Sequence, residues 1–197
     1  MDELNIGFLA SHSGSNMQAI IDNVKENKLS ANLCCMISNN RKSFAIQRAI
    51  NENIPNYIIN EITHTNNVDK EIVKIFKSHN VNIIILAGYM KLVSKYLIDS
   101  FNGRVLNIHP ALLPNFGGKG MYGINVHKAV IESKENISGA TIHLVNAEYD
   151  RGRILQQMEV PVLSNDTAET LAERVLKIEH ILYTDTLIKI NKKEIII

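Results

Sequence analysis

Val81-Asn82-Ile83-Ile84-Ile85-Leu86-Ala87 is the stretch on which the fold turns. Successive side chains of a strand face opposite sides, so a run this uniformly apolar is buried on both. That is the mark of a parallel sheet with helices on each face, and Gly88 ends it. Upstream, residues 4–10 are apolar and β-prone until Ser11-His12-Ser13-Gly14-Ser15-Asn16 breaks the run. Met17, Ile20, Ile21 and Val24 then recur at i, i+3, i+4 and i+7, one face of a helix. Residues 32–37 read as a second strand closing on a Ser38-Asn39-Asn40 turn, and 43–53 as a helix. Pro55 leads into the short strand Tyr57-Ile58-Ile59, and Val68, Ile72, Ile75, Phe76 and His79 mark another helix.

Downstream, Val105-Leu106-Asn107 is a further short strand, followed by a loop over 110–123. Residues 140–147 and 154–162 read as strands separated by Glu148-Tyr149-Asp150-Arg151-Gly152. Asp166-Thr167-Ala168-Glu169 has capping-box spacing, and Leu171, Val175, Ile178 and Leu182 give a closing helix its buried face. The tail, 189–197, has β propensity and no assigned role. The βαβαβ front half predicts an α/β fold: an open, doubly wound, mostly parallel sheet with helices on both faces and a more antiparallel C-terminal extension. With no repeat, low-complexity tract or Pro/Gly linker, 1–197 is expected to form a single domain, its Rossmann-like, phosphate-binding half over 1–100. Ligands in such sheets sit outside the carboxyl ends of the strands. The loops at 11–16, 88–93 and 107–109 should therefore share one cleft.

Composition narrows the function. The chain has 197 residues, 21 Lys plus Arg against 20 Asp plus Glu, and a net charge of +1. No basic run offers a footprint for nucleic acid or an anionic membrane. The start, Met1-Asp2-Glu3, is acidic, and the apolar stretch behind it is too short for a signal peptide. No apolar run approaches the ~18 residues of a membrane span. Cys34 and Cys35 are adjacent in a β-like run and face opposite ways, which suits two small apolar fillers in a reducing cytosol rather than a disulfide. No Cys, His or Asp group has zinc spacing, so no metal is expected.

Asn107-Ile108-His109-Pro110 carries the strongest chemical signal. Side chains two apart on a strand point the same way, so an amide donor and an imidazole converge on one small volume. Acyl chemistry needs both: a donor for a developing oxyanion and a group that moves a proton. If Asp150 meets the imidazole, it should favour the charged ring and raise the pKa of His109. The alternative is a histidine in a packing role. The Ser-Gly-Ser-Asn loop also admits two readings. Gly14 permits close backbone approach, Ser15 and Asn16 can cap the helix behind it, and free N–H groups at such a terminus bind phosphate. The same features make an ordinary strand–helix turn. His12 stands beside this loop, and His143, on a strand, reads as structural.

Gly14-Ser15-Asn16, Leu86-Ala87-Gly88-Tyr89-Met90, Asn107-Ile108-His109-Pro110-Ala111-Leu112-Leu113-Pro114 and the Asp150 turn before Ile154-Leu155-Gln156 follow one another in that order. Together they resemble the phosphoribosylglycinamide formyltransferase family, from Leu4 to about Tyr183. The resemblance implies formyl transfer from 10-formyltetrahydrofolate to the amino group of glycinamide ribonucleotide, in the cytoplasm. By that likeness Asn107, His109 and Asp150 form a catalytic trio, and 101–197 is the catalytic and folate-binding half. Gly14, Ser15 and Asn16 hold the ribonucleotide phosphate, and Glu179 contacts the amine or ribose end. Met90, Lys91, Leu92 and Val93 line the pterin pocket with Asn107. Partners are then small-molecule substrates, with the chain a monomer or homodimer. Three positions depart from the pattern: a Gly-rich loop with Lys119, Thr65 where relatives carry an arginine, and Lys91 for the commoner arginine, which loses the planar fork. Two rivals share the trio. A methionyl-tRNA formyltransferase is expected to need a further C-terminal domain and a basic surface, and a formyltetrahydrofolate hydrolase an N-terminal regulatory domain. A non-catalytic nucleotide-binding module is the rival of another class.

Overall fold

The protein is described by a computed structural model over residues 3–65 and 67–197; Met1 and Asp2 of the acidic start lie outside the described residues. Seven strands, β1 (Leu4–Ala10), β2 (Ala31–Ser38), β3 (Asn56–Ile58), β4 (Ile83–Leu86), β5 (Val105–His109), β6 (Ile137–Leu144) and β7 (Ile154–Pro161), form one sheet. Its order is β3-β2-β1-β4-β5-β6-β7. The first five pair in parallel, whereas β5 with β6 and β6 with β7 are antiparallel. The expected α/β class is thus borne out. The chain winds outward from β1 to β3, then returns to β4 on the other side, so the topological switch lies between β1 and β4. The crevice that this switch opens is where such sheets bind ligands.

Alternation along β4 explains the two layers. Ile83 and Ile85 enter one core with Phe8, Met17, Ile20, Val130, Leu171, Val175 and Leu182; Ile84 and Leu86 enter the other with Ile72, Phe76, Leu97 and Val105. Helices α1 (Ser15–Lys25), α2 (Phe44–Asn51), α5 (Ile124–Glu132) and α6 (Ala168–Asn191) cover the first face. Helices α3 (Val68–Ser78) and α4 (Lys95–Ser100) cover the second. Gly7 sits under α3, where an added Cβ would come within 2.9 Å of the Phe76 ring. A side chain there would push the helix off the sheet.

Several expectations shift at this level. Helices α4 and α5 fall where no element was expected. The first is short and opens on Ser94, whose Oγ accepts from the Leu97 N–H at 3.3 Å; the second buries Val126, His127 and Val130. Strand β6 starts at Ile137 rather than 140 and ends at Leu144. The closing helix is capped one residue later than its sequence suggested. Thr167 and Thr170 make the reciprocal box, while Asp166 is drawn off to Arg174 at 2.6 Å and to the Leu163 amide. That helix also absorbs the start of the β-prone tail, running to Asn191.

Tyr183 fastens α6 to the sheet. It is fully buried, and its hydroxyl lies 3.1 Å from both the Leu86 and the Leu106 carbonyl oxygens, where the end of β4 meets the start of β5. One proton is shared between the two acceptors. Tyr183→Phe should therefore cost about 1–1.5 kcal/mol of stability without changing the fold. Urea unfolding of both proteins checks this, and an unchanged midpoint would count against the shared bond.

Candidate active site

The loops after β1, β4 and β5 do open into one cleft, of about 650 Å³. Its wall includes His12 and Asn16 from the first, Gly88, Tyr89 and Met90 from the second, and Asn107 and His109 from the third. Asp150 and Tyr149 close it from the β6–β7 turn, Glu179 from α6, and 118–123, Lys119 included, from the long loop. Among the described residues, no group of His, Cys, Asp and Glu is arranged to hold a metal ion, and no helix is long and apolar enough to cross a membrane.

The first loop is held from outside. The His12 carbonyl accepts from the Ser43 hydroxyl (2.7 Å) and the Ala45 N–H (3.1 Å), and Arg48 Nε donates to the Ser13 carbonyl at 2.9 Å. Gly14 takes φ 65°, ψ 28°, a left-handed conformation that costs a residue with a Cβ, and an added Cβ would lie 2.6 Å from that of Ala45. Gly14 is itself the N-cap of α1, and no side chain caps the helix. The expected cap by Ser15 or Asn16 is not made, because both already lie inside the helix. Asn16 instead sends Nδ2 across to Glu179 Oε2 at 2.8 Å, leaving its own buried Oδ1 without a partner. Asn16 lines the cleft, but Gly14 and Ser15 do not: the one packs against α2 and the other starts the helix.

Asn107 and His109 stand on the same side of β5, opposite His143 and Thr141 of β6. His143 Nδ1 lies 2.9 Å from the Leu144 carbonyl, so that nitrogen carries the proton in the neutral ring. Nε2 is then an acceptor, and Asn107 Nδ2 faces it at 3.2 Å. The pairing settles which end of the Asn107 amide turns inward and leaves its second N–H for the cleft. His109 is fixed in the same manner: Nε2 donates to the Phe116 carbonyl at 2.8 Å, and Nδ1 lies 3.5 Å from Asp150 Oδ2. Asp150 also accepts from the Gly118 N–H at 2.9 Å, and its other oxygen is 3.6 Å from His143 Nε2.

Electrostatics correct one expectation. Burial holds the His109 pKa below the ordinary histidine value, outweighing the upward pull of Asp150 and of the Phe116 carbonyl; His143 adds to the lowering. The ring is 3% exposed, so desolvation of the cation wins. Burial would raise Asp150, yet His143 and His109, each of which turns a proton toward it only when charged, and the Gly118 amide together bring it below the usual carboxylate range. Glu179 is pushed up to about 7 by burial, with Asn16 pulling the other way. His127, from α5, is buried with Nδ1 unpartnered and falls to about 4, chiefly by burial and then by the nearness of His109.

A family model described as formyl transferase matches residues 4–187. The chain belongs to that family. The chloroplastic phosphoribosylglycinamide formyltransferase of Arabidopsis thaliana is 41% identical over 183 residues, covering 91% of this chain but 63% of its own length. The phosphoribosylglycinamide formyltransferase of Haemophilus influenzae is 35% identical over 180 residues, 90% of this chain and 82% of its own. A crystal structure of glycinamide ribonucleotide transformylase 1 from Symbiobacterium toebii matches with a TM-score of 0.91 at 31% identity, covering 99% of this chain and 91% of that one. The chain thus spans less than two thirds of the length of the Arabidopsis relative.

In this member of the family the motif residues meet in part as expected. Asn107, His109, Asp150, Asn16 and Glu179 share the cleft. Met90 faces that cleft too, whereas Lys91, Leu92 and Val93 line a smaller annex with Asn107, His143, Val145 and Asp150. Lys91 reaches Glu61 at 3.5 Å with its side chain 55% exposed, so it is a surface cation. Thr65 is exposed and bonds the Glu61 carbonyl (3.3 Å), a local turn contact. His143 was read as structural, yet it touches both Asn107 and Asp150. The signal was present: β6 pairs with β5, and a polar residue on a strand whose neighbours are buried calls for a polar partner.

Two measurements follow from this electrostatic arrangement. Asp150→Asn removes a charge that raises the His109 pKa, so the imidazole should titrate at still lower pH by NMR; an unmoved or raised value would disprove the coupling. Glu179 has a folded pKa above its unfolded one, so its stabilising share is full below about 4.5 and lost as pH rises through about 7. Relative to Glu179→Gln, the native protein should lose roughly 2–4 kcal/mol across that window, read from unfolding midpoints. A flat difference between pH 4.5 and 7.5 would show the carboxyl to be unperturbed.

Proposed function

We propose that this chain transfers a formyl group from 10-formyltetrahydrofolate to the amino group of glycinamide ribonucleotide in purine biosynthesis. One observation carries the reading: in a formyl transferase, an oriented amide, an imidazole and a buried carboxylate converge on one cleft at the switch point of the sheet.

The chemistry on either side of that point fits two substrates. The annex, of about 70 Å³, sets Leu86, Leu92, Val93 and Val145 against the polar Asn146 and Glu148, a lining suited to one end of a flat pterin with apolar faces and a hydrogen-bonding edge, the rest of which lies in the main cleft. On the other side the N-terminal turn of α1, uncapped by any side chain, and the Asn16–Glu179 pair offer amides to a phosphate and a carboxyl to an amine or hydroxyl. As the substrate amine attacks the formyl carbon, its oxygen gains charge, and the second Nδ2–H of Asn107 is the donor turned toward it. The amine must then shed a proton. His109 in the free cleft carries one proton, on Nε2, and so has room for another. A proton taken up at Nδ1, directly or through water, makes an imidazolium beside the ionised Asp150, which compensates the charge that burial opposes; as the tetrahedral adduct collapses the formyl C–N10 bond breaks, and the same proton passes to N10 of the departing tetrahydrofolate.

Purified protein should consume 10-formyltetrahydrofolate only when glycinamide ribonucleotide is present. Asn107→Ala should slow turnover ~10²–10³-fold, the usual loss for one oxyanion donor, with an unchanged circular dichroism spectrum. Folate loss without the ribonucleotide would make the chain a hydrolase, and near-native turnover in Asn107→Ala would remove that amide from the reaction.

A further inference from the structure

We propose that Ser11 is a positioning residue for the donor subsite, its hydroxyl clamping the 88–90 turn whose far side forms the annex wall. The assignment rests on the reading of that annex as the folate pocket. Ser11 ends the buried run of β1 and is 2% exposed. Its backbone N–H donates to the Gly88 carbonyl at 3.1 Å, and its Oγ accepts from the Met90 N–H at 2.8 Å. The turn is thus held at two points, on either side of Tyr89. Gly88 stands at φ 74°, so the chain bends sharply between them.

The direction of the second bond is set from β2. A hydroxyl has one proton, and Ser11 gives it to Asn39 Oδ1 at 2.6 Å, which aims a lone pair at Met90 N–H. The Ser11 carbonyl accepts from Asn40 Nδ2 at 3.0 Å, and Asn60 Nδ2 holds the Asn39 carbonyl at 3.1 Å. Every polar group of Ser11 is therefore engaged, each with a residue distant in sequence, and the network joins the carboxyl ends of β1 to β4. Met90 lines the cleft, Tyr89 both cleft and annex, and Lys91, Leu92 and Val93 the annex. A tilt of this turn changes the donor wall before it changes the trio, which rides on β5 and the β6–β7 turn.

The consequence is a split in kinetic constants. Ser11→Ala leaves the Met90 N–H without its partner and frees the turn. The KM for 10-formyltetrahydrofolate should rise about tenfold, while kcat at saturating donor and the KM for the ribonucleotide stay within about threefold. Asn39→Leu removes the acceptor that orients the hydroxyl and should reproduce the donor effect, whereas Asn39→Asp keeps an acceptor and should remain near the native constants. These two variants decide the matter if Ser11→Ala does not fold. A merely structural Ser11 would lower the melting temperature and the active fraction, hence kcat, with both KM values unmoved. Calorimetric titration of the native protein with tetrahydrofolate serves as the control. Native protein that fails to bind it would sink the folate reading and this assignment with it. Native binding with an unchanged donor KM in Ser11→Ala or Asn39→Leu would overturn the role of Ser11 alone.

Discussion

A carboxylate with a side chain only 10% exposed is the constraint around which this molecule is arranged. An ionised group removed from water is costly unless charges or donors replace its hydration. Asp150 accepts from the Gly118 amide of the long loop and sets its two oxygens against the rings of His109, from β5, and His143, from β6, either of which compensates it once protonated. Gly118 and His109 lie far from it in sequence, so this setting exists only when the antiparallel extension has docked on the parallel half and the 110–123 loop has folded over both. The backbone supports the same conclusion. Asp150 and Phe116 both have positive φ, 56° and 54°, and each makes one of the two contacts that hold the His109 ring. Left-handed backbone at residues with side chains is retained where the surroundings over-determine it, and here the surroundings are the site itself.

The opposing pulls on His109 give the site its chemical character. Asp150 acting alone would raise the ring's affinity for a second proton. Burial reverses that. The ring waits neutral, with Nε2–H held by a carbonyl and Nδ1 turned to the acid, so the imidazolium is stabilised only after a proton arrives. Glu179 is the complementary case. It is a carboxyl buried with a single amide donor, pushed toward neutrality, on the far side of the same cleft. Two acids sharing one cavity thus sit on opposite sides of their usual range, through unequal numbers of hydrogen-bond donors.

What could be read in the sequence was what period and local chemistry carry. The uniform apolar run at 83–86 demanded a two-faced core, and alternation within it is what divides Ile83 and Ile85 from Ile84 and Leu86. The Asn-x-His spacing placed two polar groups on one side of a strand because strand geometry allows nothing else. What was not legible depended on partners brought from elsewhere. His143 read as structural, facing the cleft at most, because its role follows from the β5–β6 register, which pairs it with Asn107. The pKa of His109 was misjudged because sequence reveals a neighbouring charge more readily than the depth of burial. Asp166 looked like a cap until Arg174, two turns along, supplied a stronger partner. Helix α5 was hidden because its buried positions, Val126, His127 and Val130, include a histidine that looked polar.

The reacting groups and their supports come from different layers of the fold, which explains how one sheet can hold a precise site on loops. Asn107 and His109 belong to a strand, and Tyr183 reaches the start of that strand and the end of β4 from beneath. Met90 belongs to a turn, held from the side through Ser11 and Asn39. Asp150 belongs to the β6–β7 turn, steadied by the loop that it helps to order. A change in the turn's support should alter binding before chemistry, and a change beneath β4 and β5 should alter stability before either. Such separation is possible because a doubly wound sheet delivers each loop to the switch point on its own strand, with hydrogen bonds between loops formed only at their tips.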